Sequence, residues 1–193
     1  LNIQGRTEFV GYDSNAISSN VIEIIPSESS SIKDEINEDE EGIVLLKETP
    51  FYAESGGQVG DSGYLKSNDS IFEVYDTQKK GDHFLHIGVV KSGTFKKDET
   101  VDAEIDSKRR ERIRSNHSAT HLLHAALRNI LGEHVEQKGS LVEESRLRFD
   151  FAHNQAIDST DIQNIEDQIN TEIKKNTKSL TEVLPLEKAI EKG

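Results

Sequence analysis

The apolar residues of this sequence change their spacing near Asp106, and this change constrains the fold more than any other feature. Before Asp106, short stretches rich in Val, Ile, Phe and Tyr alternate with turn residues such as Gly56-Gly57, a pattern typical of β-strands joined by tight turns. The predicted strands cover residues 7–12, 21–25, 42–47, 72–76, 84–90 and 100–105. Several short strands with frequent turns favour a small closed barrel or a sandwich.

Beyond Asp106 the spacing becomes helical. Over residues 108–131 the apolar positions lie three or four apart, or at multiples of that, and Gly132 follows as a stop signal. Residues 146–152 alternate strictly between apolar and polar side chains, which predicts a half-buried strand. A second amphipathic helix is expected between Asp158 and Asn176, followed by an extended segment at 180–186. The second half therefore has an α+β pattern.

The charge of the chain is strongly acidic, with 36 Asp and Glu against 23 Lys and Arg, a formal net charge of −13. This balance argues against indiscriminate binding of nucleic acid, because phosphate contacts depend on Lys and Arg. Residues 27–41 hold four serines and seven acids, which predicts a solvated, mobile surface loop. Residues 108–114 hold five cations and one acid, which indicates either a solvated helix face or a contact with a phosphate backbone.

The chain has no cysteine, so disulfides and thiolate metal ligands are excluded and any metal must be bound by His, Asp or Glu. None of its apolar runs is long enough to span a membrane, and we expect no secretory signal, since no basic or apolar leader stands before Leu1. We therefore expect a cytoplasmic protein with no membrane partner. The first residue is Leu rather than Met, which suggests a piece of a longer chain.

The residues most suited to metal chemistry are His117 and His121, which lie four positions apart on the predicted helix. Their imidazoles would share one helix face about 6 Å apart along the axis, a spacing that suits a single zinc ion. The alternative is a pair of hydrogen-bonded core histidines. The spacing singles out no third ligand among the four other candidates, His83, His86, His134 and His153.

Two further polar groups are candidates for a binding site. Residues 54–63 form a glycine-dense loop that lacks the Gly-Lys-Ser/Thr ending of a phosphate-binding loop. This loop is either a bulged hairpin or a place where the backbone approaches a ligand, with Gln58 and Asp61 as polar ends. Gln137, after the histidine helix, is either an ordinary strand residue or an amide directed at substrate.

These motifs together resemble the editing region of bacterial alanyl-tRNA synthetases. The resemblance covers nearly the whole chain except residues 27–41, and the combination is far more specific than any single motif. The matching motifs are Phe51-Tyr52-Ala53-Glu54-Ser55-Gly56-Gly57-Gln58-Val59-Gly60-Asp61, Arg109-Arg110, Asn116-His117-Ser118-Ala119-Thr120-His121-Leu122-Leu123, Gln137-Lys138-Gly139-Ser140 and Arg148-Phe149-Asp150-Phe151.

The resemblance implies a fold and an activity. The fold is a small antiparallel β-barrel over residues 1–106, with the acidic loop 27–41, and an editing core of helices on an antiparallel sheet that begins at 107. The same core is shared with threonyl-tRNA synthetases and free-standing alanyl-tRNA deacylases. The implied activity is hydrolysis of Ser-tRNA or Gly-tRNA wrongly made for alanine, since an alanine pocket rejects an added hydroxyl only about 10²-fold.

The resemblance also implies roles for particular residues. His117 and His121 would be zinc ligands, and Gln137 would be a catalytic residue that lines the pocket. The residues expected near substrate or tRNA are Gly56, Gly57, Gln58, Asp61, Thr120, Arg109 and Arg110. The implied partners are the acceptor end of tRNA(Ala) and the rest of the synthetase chain, whose ATP and Mg²⁺ sites would lie upstream of Leu1.

One departure from the family pattern concerns zinc. The family completes its zinc site with a Cys and a His four positions apart, well downstream of the helix, whereas this sequence has no Cys. We therefore expect the core at 107–193 to be incomplete at its C-terminus, zinc to be absent or weakly held, and the chain alone to be inactive. An incomplete edge could also promote self-association.

Two other functions are compatible with the sequence. An independent deacylase would need its own start and the distal Cys and His. A non-catalytic tRNA-binding or structural module is favoured by the basic residues at 108–114 and opposed by the net charge of −13.

Overall fold

The computed structural model describes residues 6–29, 31–178, 182 and 184–192. Its strands are β1 (Glu8–Phe9), β2 (Ala16–Pro26), β3 (Glu35–Asn37), β4 (Glu41–Leu46), β5 (Glu48–Thr49), β6 (Gly63–Lys66), β7 (Ile71–Lys80), β8 (His83–Ser92), β9 (Thr94–Lys96), β10 (Thr100–Ile105), β11 (Gln137–Val142) and β12 (Leu147–Phe151). Its helices are α1 (Ser107–Leu131), α2 (Ser159–Lys175) and α3 (Leu186–Lys192).

Six antiparallel strands close into a barrel in the order β10-β2-β4-β8-β7-β6, and β6 pairs back onto β10. Alternate side chains point inward, and the fully buried members include Val44, Leu65 and Phe72. The α+β class with an antiparallel barrel is therefore confirmed. The sequence pattern missed β6, because this four-residue strand follows the glycine-dense loop and offers only Leu65 as a large inward side chain.

The acidic segment 27–41 is not solvated throughout, in contrast to the prediction from its composition. β3 lies within it and pairs antiparallel with β9, so that Ile36 faces Phe95. Both side chains are fully buried in the barrel core. One apolar residue can anchor a strand even where its neighbours are acidic, and average composition does not reveal such a position.

The chain divides into two compact units. The first comprises residues 1–121 and 136–152, and it contains the barrel and the β11–β12 hairpin. The second comprises residues 122–135 and 153–193; its buried apolar residues include Leu127, Val135 and Ile165. The predicted division at 106/107 stays a prediction.

The predicted ends of α2 are confirmed. The Asp158 carboxylate caps the first turn by accepting from the Asp161 N–H at 2.8 Å. Asn176 ends the helix in the left-handed region at φ 48°. In the extended segment expected at 180–186, residues 180, 181 and 183 lie outside the described part of the chain, and Leu186 instead begins α3.

The helices in the described part of the chain are each too short or too polar to cross a membrane.

A buried histidine inside the barrel connects three elements. His86 on β8 is fully buried, and its Nδ1 lies 2.8 Å from the Val44 carbonyl oxygen, which can only accept. Nε2 is therefore unprotonated and accepts from the Thr49 hydroxyl at 2.7 Å. Burial lowers the pKa of His86 to about 4, and the bond to the Val44 carbonyl partly opposes that shift.

We expect this histidine to make the barrel sensitive to acid. The unfolded chain binds a proton at His86 below about pH 6.5 while the folded chain does not until about pH 4, so stability falls as the pH drops through this window. Between pH 7 and pH 5 the loss should be about 2 kcal/mol, at 1.36 kcal/mol per unit of pKa shift.

Urea unfolding at the two pH values measures this loss. The matched variant His86→Gln should be less stable at pH 7 but should lose less on acidification. An equal loss in both proteins would contradict the assignment.

Candidate functional site

A buried ion pair joins the start of α1 to the glycine-dense loop. Arg110 is 7% exposed and Asp61 is 1% exposed. The Arg110 Nε donates to the two Asp61 carboxylate oxygens at 2.9 and 2.8 Å, and Nη2 also contacts Asp61. Nη1 donates to the Gly11 carbonyl at 3.0 Å, and Nη2 donates to the Pro50 carbonyl at 2.9 Å. The Asp61 carboxylate also accepts from the Tyr52 N–H at 2.8 Å.

These contacts bear on the roles expected from the sequence. Both side chains are buried and use their hydrogen-bonding groups inside the protein, which favours a structural role for Arg110 and Asp61 over the predicted contact with tRNA. Arg109 is similarly engaged, donating to the Gly60 carbonyl at 2.8 Å and lying 3.6 Å from the Glu144 carboxylate. The predicted contacts with tRNA stay predictions.

The glycine-dense loop is a tight turn against β11. Ser55 and Gln58 exchange backbone hydrogen bonds at 3.1 and 3.0 Å, and the two glycines between them have φ of 59° at Gly56 and 85° at Gly57. A Cβ at Gly57 would collide with Ser140 on β11, whereas a Cβ at Gly56 would meet open space. Gly57 is therefore required for packing, and Gly56 presents its backbone on an open side of the loop.

The loop positions Gln58 directly against His117 on α1. The Gln58 side chain is buried, and its Oε1 lies 2.6 Å from the His117 Nδ1. An amide oxygen only accepts, so Nδ1 carries the hydrogen and the lone pair of Nε2 is free for another partner. Burial, and secondly the charge of His121, lower the pKa of His117. The ring is therefore held neutral in the tautomer that can coordinate a metal through Nε2.

His121 lies on the same face of α1, as predicted. The two imidazole rings have centroids 5.1 Å apart and planes inclined by 22°. Neutral imidazoles are donors that zinc accepts, so the chemistry of this pair fits part of a zinc site. Within the described residues, no group of three or more His, Cys, Asp or Glu side chains is placed to hold a metal ion.

The other predicted residues differ in their exposure and in their hydrogen-bond partners. Gln137 begins β11 and is exposed. Thr120 is buried and donates to the Asn116 carbonyl at 2.9 Å. Asn116 was predicted only as a member of the histidine motif. Its side-chain amide donates to the Glu143 carbonyl at 2.7 Å. It therefore links α1 to the turn after β11.

Three of the other histidines have hydrogen-bond partners elsewhere. His86 is bonded inside the barrel, and His134 and His153 bond each other at 2.8 Å. The sequence did not predict that Gln58 is the hydrogen-bond partner of His117. No local signal could have identified it, because 59 residues separate the two in the chain.

Comparison with known proteins decides the family. The family model for tRNA synthetases class II (A) matches residues 1–109. The chain belongs to this family of class II tRNA synthetases.

Similar proteins include the alanine–tRNA ligases of Pseudomonas syringae pv. syringae (strain B728a) and Pseudomonas savastanoi pv. phaseolicola (strain 1448A / Race 6), each 50% identical over 193 residues. That of Pseudomonas entomophila (strain L48) is 48% identical over the same length. Each alignment covers 100% of this chain and 22% of the relative. This class II chain therefore spans about a fifth of the length of the curated relatives it matches.

The buried ion pair should dominate the stability of the first unit. Arg110→Met leaves the Asp61 carboxylate buried without its cation, and removing one partner of such a pair costs about 3–5 kcal/mol. The control is Lys66→Met, which breaks the exposed Lys66–Glu104 pair and should cost no more than about 1 kcal/mol. Urea unfolding followed by circular dichroism compares the two, and similar losses would contradict the structural role.

Gln58 should control the tautomer of His117. In Gln58→Leu the ring loses its acceptor, so we expect both neutral tautomers to be populated, whereas the parent chain should populate one. Side-chain ¹⁵N shifts of His117 measure the ratio, with His117→Gln used to assign the signal. The control Gln163→Leu changes an exposed glutamine on α2 and should leave the shifts unchanged. An unaltered ratio in Gln58→Leu would contradict this role.

Proposed function

We propose that this chain is a segment of an alanine–tRNA ligase and contributes to a site that hydrolyses Ser-tRNA(Ala) or Gly-tRNA(Ala). The observation that carries the proposal is the Gln58–His117 hydrogen bond, which leaves a metal-binding nitrogen free one helical turn from a second imidazole. The 50% sequence identity with an alanine–tRNA ligase over all 193 residues also supports the proposal.

Two imidazoles of this chain would serve as zinc ligands. His117 would coordinate through Nε2 in the tautomer that Gln58 selects, and His121 would supply the second nitrogen. The remaining ligands would come from the part of the synthetase outside this chain. Zinc bound there would polarise the ester carbonyl or activate a water molecule.

The residues around the pair would position the aminoacyl ester. The open backbone at Gly56 would lie beside the aminoacyl group, and the exposed amide of Gln137 would contact the substrate without binding the metal. Arg114 is exposed and lies three positions before His117, so it neighbours that ring on the helix surface. Arg114 is therefore better placed than the buried Arg110 to meet a phosphate of the tRNA.

One experiment separates this function from the alternative, a non-catalytic tRNA-binding or structural module. In the full-length ligase that contains this segment, His121→Ala should reduce hydrolysis of Ser-tRNA(Ala) at least 100-fold, because a catalytic metal site loses a ligand. Charging of tRNA(Ala) with alanine should be unchanged. Gln137→Ala should lower turnover while the zinc content is retained.

His134→Ala is the matched control, since it removes an exposed imidazole outside the pair. It should retain normal hydrolysis. Full activity in His121→Ala would rule out the metal site and favour the non-catalytic module. The 193-residue chain alone should show no measurable hydrolysis.

A further inference from the structure

Four aromatic rings line a groove on the barrel beside the glycine-dense loop. Phe9 stacks parallel to Phe84 at 5.5 Å between centroids and meets the edges of Tyr12 at 5.1 Å and Tyr52 at 6.1 Å. The groove has a volume of about 410 Å³ and is also lined by Ser55 and Lys79. We call it the aromatic groove.

The exposure of Tyr12 distinguishes this groove from an ordinary core. Tyr12 is 84% exposed, whereas Phe84 in the same groove is buried. A ring left this open contributes little to folding. It does present a flat aromatic surface to a ligand, held in place by its edge contact with Phe9.

The surface around the groove is less acidic than the chain as a whole, so it suits a ligand with phosphates better. The Lys79 ammonium lies 5.4 Å from the centroid of the Phe84 ring. An adjoining cleft adds Arg6 together with the acids Glu8 and Asp82. Two cations thus balance two anions, against a net charge of −13 for the chain. Stacking rather than charge would therefore provide most of the affinity.

The groove borders the proposed editing site through Ser55. Ser55 lines the groove and also begins the turn that holds Gln58 against His117. The Tyr52 hydroxyl donates to the Ser55 carbonyl at 3.4 Å. A strand of RNA whose aminoacylated end lies at Gly56 would therefore have its preceding nucleotides next to these rings.

We propose that the aromatic groove binds unpaired RNA nucleotides, whose bases stack on Tyr12 and Tyr52 while Lys79 contacts the backbone. Proteins that hold single strands combine aromatic platforms with nearby cations in this way. The inference rests on the proposed function, because the editing site sets the direction of the strand. The occupant is single-stranded RNA rather than an apolar peptide, since the groove leads to the site proposed for a tRNA ester.

The test measures binding of a fluorescein-labelled single-stranded RNA tetranucleotide to the 193-residue chain by anisotropy. Tyr12→Ala should weaken binding at least about fivefold, the lower range for one stacked base. Tyr12→Phe should bind normally, because it keeps the ring. Lys79→Gln should reduce the slope of log affinity against log salt by about 0.7.

Tyr75→Ala is the matched control, since Tyr75 is 50% exposed on the barrel and does not line the groove. It should bind like the parent chain. Equal binding by Tyr12→Ala and Tyr75→Ala would overturn the proposal. An affinity for duplex RNA equal to that for the single strand would overturn it too, as would displacement of the RNA by a proline-rich peptide.

The full-length ligase separates this inference from the proposed function. A raised KM for Ser-tRNA(Ala) in Tyr12→Ala, with kcat retained, supports the groove. Loss of hydrolysis in His121→Ala with an unchanged KM in Tyr12→Ala overturns the groove and leaves the editing site intact. RNA binding that depends on Tyr12 in an enzyme without hydrolysis supports the groove and overturns the editing function.

Discussion

The buried ion pair between Arg110 and Asp61 determines where α1 begins relative to the barrel, and the candidate site depends on that placement. A guanidinium suits this position because its planar group of donors reaches the carboxylate and two backbone carbonyls at once, which a lysine could not do. Asp61 closes the glycine-dense loop from the other side through the Tyr52 N–H. One interaction therefore fixes the position of the loop relative to the helix.

The contact between Gln58 and His117 depends on this placement of the loop against α1. The loop needs positive φ at two glycines to turn back, and this turn directs the Gln58 side chain at the helix. β11 supports the loop by hydrogen bonds from the Val142 N–H to the Gly57 carbonyl at 2.8 Å and from the Val59 N–H to the Val142 carbonyl at 3.2 Å. The His117 imidazole is thus oriented by Gln58, on a loop that β11 in turn supports.

The acidic composition conceals two features that matter for the proposed function. Ile36 holds an otherwise acidic segment onto the barrel through its burial with Phe95. The aromatic groove and the cleft beside it are together locally neutral, because Arg6 and Lys79 offset Glu8 and Asp82. Net charge therefore describes the average surface of this class II synthetase segment and not the charges around one groove.

The sequence by itself determined the elements whose signals are local. Short stretches rich in Val, Ile, Phe and Tyr between turn residues identified most barrel strands, and helical spacing identified α1 and α2. The spacing of His117 and His121 placed both rings on one helix face. These features depend on neighbours within about seven positions.

Only the tertiary structure decided the rest. It paired Gln58 with His117, buried Arg110 and Asp61 together, and brought Tyr12 and Tyr52 to one groove. Barrel closure brings residues tens of positions apart into contact, and a side chain such as Arg110 has the same identity whether it faces solvent or a buried carboxylate. Its role is therefore determined by its burial and its partners, which local sequence does not contain.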